Sequence, residues 1–98
     1  MMVSAIPEKY RSDIEKATSC LRAEGCAGVF LFGSIVTGKY HEASDIDLGI
    51  TGLAPQHYIR TYSKLNNIMT HRFDLVDFDE NGDMFNLLNS LGEIVKLG

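Results

Sequence analysis

Ten residues separate a Gly-Ser pair, Gly33-Ser34, from an Asp-x-Asp pair, Asp45-Ile46-Asp47. This GS-x10-DxD spacing constrains the chain more than any other feature, because it fits within one short strand–helix–strand unit. Val29-Phe30-Leu31-Phe32 precedes it, an apolar run whose length and composition predict a buried strand. The run stops at Gly33-Ser34. A short helical stretch is predicted over 35–38, a loop over 39–44, and a second strand over 45–51 that Gly52 ends. A Gly-Ser turn between a buried strand and a helical turn offers unpaired backbone N–H groups to a phosphate. Gly33 permits close approach because it has no Cβ, Ser34 adds a hydroxyl donor, and Gly38 can turn the chain back. Four fixed residues of ordinary usage coincide about once in 10⁵ start positions, so chance is a poor explanation.

On a strand, residues i and i+2 point to one face. Asp45 and Asp47 therefore project together, with Ile46 and Leu48 facing the core. Neighbouring carboxylates repel and raise one another's pKa, so the pair asks for a cation. Mg²⁺ takes carboxylate and phosphate oxygens together. A third acid, Asp74, sits in the otherwise apolar run Phe73-Asp74-Leu75-Val76, within a third strand predicted over 72–78. If that strand pairs beside the second, Asp74 completes a three-carboxylate site. Such a site can hold two metal ions for an in-line phosphoryl or nucleotidyl displacement, and Asp74 can serve as base for the attacking hydroxyl. The competing reading of Asp74 is an edge-strand acid facing water. Asp77 falls on the opposite face, and with Asp79, Glu80 and Asp83 it reads as a solvated loop and helix start.

The rest of the chain fits around this unit. Tyr10, Ile14, Ala17 and Leu21 recur at helical spacing after Pro7, and Gly25 stops that helix. Pro55 opens a second long helix carrying Tyr58, Tyr62, Leu65 and Met69; its tyrosines read as core. Asn81 caps a third, with Phe85, Leu88 and Leu91 as its buried face. Gly92 ends it, and a last strand is predicted over 93–97. The order αβαβαβαβ with short connections describes an α/β fold, a small mixed sheet packed with helices, as one domain over residues 1–98. His41 reads as an exposed loop residue, while His57 and His71 lack ligand spacing. Cys20 and Cys26 read as reduced and structural.

Composition narrows the function. A 98-residue chain that is 45% hydrophobic supports one core but no second substrate-binding domain, so the substrate is macromolecular or a homo-oligomer completes the site. A net charge of −4 without a basic run argues against autonomous nucleic-acid binding. No stretch resembles a signal peptide, and none approaches the ~20 apolar residues of a membrane span. The expectation is a soluble, cytoplasmic protein.

Phe30 to Asp77 resembles the minimal nucleotidyltransferases of the DNA polymerase beta superfamily. Gly33-Ser34 is similar to the family's Gly-Ser signature, Ser44-Asp45-Ile46-Asp47-Leu48 to its SDxDL strand, and Phe73-Asp74-Leu75-Val76 to its third-carboxylate strand. The resemblance implies binding of a nucleoside triphosphate with two Mg²⁺ ions, and transfer of the monophosphate to a hydroxyl with release of pyrophosphate. It implies that Asp45 and Asp47 hold both metals, and that Asp74 holds the catalytic metal and assists deprotonation. Gly33, Ser34, Lys39 and Ser44 are the implied nucleotide contacts. Thr37 stands where the family often carries Arg; Lys39 is the residue left to supply positive charge to the triphosphate, with a different geometry. Small members of this kind pair with a helical HEPN-type partner. There the implied role is that of an antitoxin that uses ATP to adenylylate a tyrosine on the partner. The competing readings are a catalytically weak binding module and a nucleotide-binding regulatory subunit of the same fold.

Overall fold

A computed structural model describes residues 6–41 and 44–98. Of the predicted 39–44 loop, residues 42 and 43 lie outside this description. The chain runs α1 (Glu8–Ala23), β1 (Gly28–Phe32), α2 (Ser34–Thr37), β2 (Ile46–Thr51), a 3₁₀ turn (Pro55–His57), α3 (Tyr58–Ile68), β3 (Phe73–Asp77), α4 (Gly82–Leu91) and β4 (Ile94–Lys96). The strands form one mixed sheet in the order β3-β2-β1-β4. β1 pairs antiparallel with β2 and with β4, while β2 and β3 are parallel. This is the expected αβαβαβαβ order. Asp45 lies just before β2 rather than inside it.

The period-2 pattern sorts the strands into two faces. Val29, Leu31, Ile46, Leu48, Ile50 and Leu75 are all buried and form the core with α1 and α3. From α1 come Tyr10, Ile14, Ala17 and Leu21, the predicted stripe, each no more than 3% exposed. Gly25 ends α1 with φ +102°, its N–H donating to the Arg22 carbonyl while Cys26 donates to Leu21. Two polar clusters join α1 to what packs on it. Near its C-terminal end, Glu24 accepts from Lys64 Nζ at 2.6 Å and from Arg60 Nε and Thr61 Oγ1 at 3.2 Å, all on α3. Further back, the buried Asp13 accepts from Thr70 and His71, in the α3–β3 connection. No helix among the described residues is long and apolar enough to cross a membrane.

The sheet's other face carries Phe30, Phe32 and Phe78, and α4 meets it through Phe85, whose ring centroid lies 5.2 Å from Phe30 and 5.0 Å from Phe78. Three expectations fail in the helices. Leu91, expected on the buried face of α4, is 56% exposed, beside Leu87 at 57%; of the expected stripe Phe85 and Leu88 are half-buried and Phe85 makes the ring contacts to the sheet. Asn81 precedes α4 without capping it by its side chain, because its Nδ2 donates to the Asp77 carbonyl at 2.8 Å. Likewise Tyr62 is 37% exposed, and the buried residues of α3 are Thr61 and Leu65.

Gly49 is the tight point of this aromatic layer. A Cβ there would stand 2.0 Å from Cε2 of Phe78, itself only 2% exposed. Such overpacking costs about 1–3 kcal/mol. Gly49→Ala is expected to lower unfolding stability by that amount in urea titration, and Phe78→Leu in the same chain to return part of the loss.

Candidate functional site

Three local rules bring the site together. The antiparallel register sets Phe32 opposite Asp47, so the next residue, Gly33, turns away beside the Asp47 carboxylate. The parallel register sets Asp74 opposite Asp47 on the other side. Asp45 precedes Asp47 by two residues at the same end of the sheet. Asp47 is thus the centre, flanked by Gly33 and Asp74.

Gly33 has φ +80° and ψ −152°, a conformation that favours glycine. A Cβ built on it would lie 2.1 Å from Asp47 Oδ2. The missing side chain therefore makes room for a carboxylate, a reason different from the close phosphate approach expected from the sequence. The helix that follows, α2, has only four residues; Val36 and Thr37 both donate their N–H to the Gly33 carbonyl at 3.1 Å.

The electrostatics are uneven. Burial first, then Asp74, then Asp45 push the Asp47 carboxyl up to about 6. Asp74 is exposed, on an edge strand, so it is a water-facing acid and the register partner of Asp47 at once. Arg72, just before β3, places Nε 3.1 Å from Asp45 Oδ1. The approach lacks hydrogen-bond alignment, and that shielded oxygen accepts no hydrogen bond from the described residues. Asp77 pairs with Ile50 and spends its Oδ1 on the N–H of Asp79, away from this set.

These residues suit a hard divalent cation. An under-satisfied oxygen on Asp45, a carboxylate on Asp47 held against its neighbours' charge, and a third on Asp74 are what a cation relieves. Among the described residues no group of three or more His, Cys, Asp or Glu side chains is placed to hold a metal ion together. Mg²⁺ ordinarily takes one or two carboxylates and fills its shell with water and substrate phosphate oxygens, so the arrangement fits such an ion when a nucleotide supplies the rest.

The other predicted contacts are dispersed. Ser34 opens α2 beside Gly33. Lys39 is exposed, and its backbone N–H closes α2 on the Ser34 carbonyl at 3.0 Å. Ser44 accepts the His41 N–H on its Oγ at 2.8 Å and donates its own N–H to the His41 carbonyl. Its hydroxyl is thus engaged in closing the loop ahead of Asp45. Sequence reasoning missed Arg72 as the cation beside Asp45. It also missed an open pocket of about 350 Å³, lined by Asp45, Tyr62, Asn66, Thr70, His71, Arg72 and Phe73. The Arg72 signal was present, a base directly before the strand that carries the third acid.

The raised Asp47 pKa has a stability consequence. Asp47 in the unfolded chain titrates near 3.8 and in the folded chain near 6. Between these values the folded state holds the extra proton, so stability falls as pH rises through this window. Without divalent cations, Asp47→Asn is expected to melt above the unsubstituted protein at pH 7 and level with it below about pH 4. Thermal melts across pH 3.5–8 check this.

The polymerase beta nucleotidyltransferase family matches residues 15–94. A solved toxin–antitoxin complex, MntA–HpeT carrying two Asp-to-Glu substitutions, aligns with 26% identity and TM-score 0.54 over 66% of this chain and 56% of that chain. A toxin–antitoxin structure with AMP-PNP aligns with 29% identity and TM-score 0.53 over 69% and 56%. The chain thus spans little more than half the length of these two. No curated protein sequence shows significant similarity. With the matched region reaching from α1 to β4 and holding Gly33, Asp45, Asp47 and Asp74, the chain belongs to the polymerase beta nucleotidyltransferase family.

Proposed function

We propose that the protein is a metal-dependent nucleotidyltransferase that moves AMP from ATP to a hydroxyl on a partner protein, as the antitoxin of a toxin–antitoxin pair. The observation that carries this reading is the carboxylate set around Gly33, with Asp47 beside Asp74 and Asp45 two residues away. The likeness to two toxin–antitoxin structures, one with AMP-PNP, supports the nucleotide and the pairing. A small helical HEPN-type protein is the proposed partner, with a tyrosine hydroxyl as acceptor and the cytoplasm as the site of action.

In this reading Asp45, Asp47 and Asp74 hold two Mg²⁺ ions, which supply charge neutralisation for the triphosphate and the attacking oxygen. Gly33 and Ser34 border the phosphates on the β1 side, with Lys39 and Ser44 as outer contacts. Asp74, exposed and at the sheet edge, is the carboxylate an acceptor reaches first, and it takes the hydroxyl proton. A second reading, neutralisation by contact alone, is favoured by Thr37. This residue stands in place of the family's Arg, and its hydroxyl donates to the Ser34 carbonyl at 3.3 Å instead of offering a charge.

Calorimetric titration of ATP, with and without Mg²⁺, separates the two. Magnesium-dependent binding is expected in the unsubstituted protein and at least a tenfold loss in Asp45→Asn/Asp47→Asn, since binding needs the ion and both of its anchoring carboxylates. Transfer retained by the double variant would rule out the metal assignment. Protection of the cell by that same variant would favour the contact reading.

A further inference from the structure

Asp45 lines a pocket that the other two acids do not. It shares the open space of about 350 Å³ with Arg72, His71 and Phe73, and neither Asp47 nor Asp74 is among the residues that line it. The Asp45 charge is still felt at Asp47, yet among the described residues no three acids are placed to hold an ion together. What Asp45 meets on its own side is Arg72, whose Nε stands 3.1 Å from Oδ1. That oxygen is shielded and accepts no hydrogen bond from the described residues. The pair is ionic without hydrogen-bond alignment, and the side chains are 77% and 44% exposed. Water screens such a pair, so it parts at small cost.

The backbone beneath the pair is anchored. β2 and β3 run parallel with Ile46 opposite Phe73, and Asp45 and Arg72 directly precede those two residues. Ile46 donates its N–H to the Arg72 carbonyl at 3.0 Å. Thr70 and His71 donate theirs to the buried Asp13 at 2.8 Å each. A rearrangement at this pair is therefore one of side chains. The Gly-Ser turn, for its part, brings no guanidinium, since Thr37 spends its hydroxyl on the Ser34 carbonyl.

We propose that Arg72 latches Asp45 away from Asp47 and Asp74 in the unloaded protein, that Asp45 leaves it for a divalent cation, and that the displaced guanidinium then pairs with the triphosphate. The inference rests on the transfer reading above. A phosphate oxygen that shares one Mg²⁺ with Asp45 lies within about 4 Å of the carboxylate oxygen, twice the ~2.1 Å of each bond. Arg72 Nε already stands 3.1 Å from Asp45 Oδ1, so the passage from carboxylate to phosphate is short. It exchanges an unaligned contact for the paired hydrogen bonds that a guanidinium makes with phosphate.

Two probes test this on Arg72→Gln beside the unsubstituted protein: Mn²⁺ alone, followed by the electron paramagnetic resonance of the unbound ion, and Mn²⁺ with ATP, followed by calorimetry. Arg72→Gln is expected to bind Mn²⁺ alone about threefold more tightly, as removal of one screened ion pair allows. It is expected to bind Mn²⁺ with ATP about tenfold more weakly, as loss of a charge-assisted hydrogen bond does. Lys96→Gln removes the same charge from β4, two strands from β2, and is expected to stay within about twofold in both titrations because salt screens that distance. The inference is overturned if Arg72→Gln binds Mn²⁺ alone no better than the unsubstituted protein, if it binds both probes more tightly, or if Lys96→Gln matches it. In any of those events, Mn²⁺-dependent ATP binding by the unsubstituted protein leaves the transfer reading standing. Absence of that binding removes both.

Discussion

The Asp47 carboxylate occupies the space that a side chain at position 33 would fill. Everything at the site depends on that packing. It requires the left-handed backbone at Gly33, which turns the chain out of β1 and into α2. It requires the antiparallel register that sets Phe32 against Asp47. It also keeps Asp47 partly out of water, and so sets the charge state of the group at the centre of the set. The Gly-Ser and Asp-x-Asp elements are thus two sides of one contact.

The same contact explains an electrostatic imbalance. Three acids lie at one end of a small sheet, and the cation found beside them, Arg72, is 77% exposed and stands 3.1 Å from Asp45. Solvent screens such a pair strongly. Asp47, pressed by burial and by the charges of Asp74 and Asp45, relieves its charge by holding a proton more tightly. A site that is poorly neutralised by its own protein is suited to ligands that bring positive charge with them.

Much of this was legible before any coordinates. Strand alternation gave the inward direction of Ile46 and Leu48, because a buried sheet face enforces period 2. Turn chemistry gave the ends at Gly25 and Gly92. The packing of Gly33 against the Asp47 carboxylate was not legible, since a sequence does not show what approaches a glycine. The burial of α4 was not legible either. Only Phe85 and Leu88 of that helix's expected stripe are half-buried, and helical spacing counts Leu91 equally although it is 56% exposed. Asp13 and His71 are 58 positions apart and meet only through the packing of α1 against the α3–β3 connection. The one local hint was an acid inside an apolar stripe.

The two clusters on α1 have a mechanical consequence. Glu24 holds Arg60, Thr61 and Lys64 toward one end of α3, and Asp13 holds Thr70 and His71 just past the other. A slip of α3 along α1 by one helical turn, about 5.4 Å, would break both sets at once and strand a buried carboxylate. α4 carries no comparable restraint, with no buried residue of its own and its ring contacts made through Phe85. The sheet therefore has a stiff back and a compliant front, and the carboxylates open toward the compliant side.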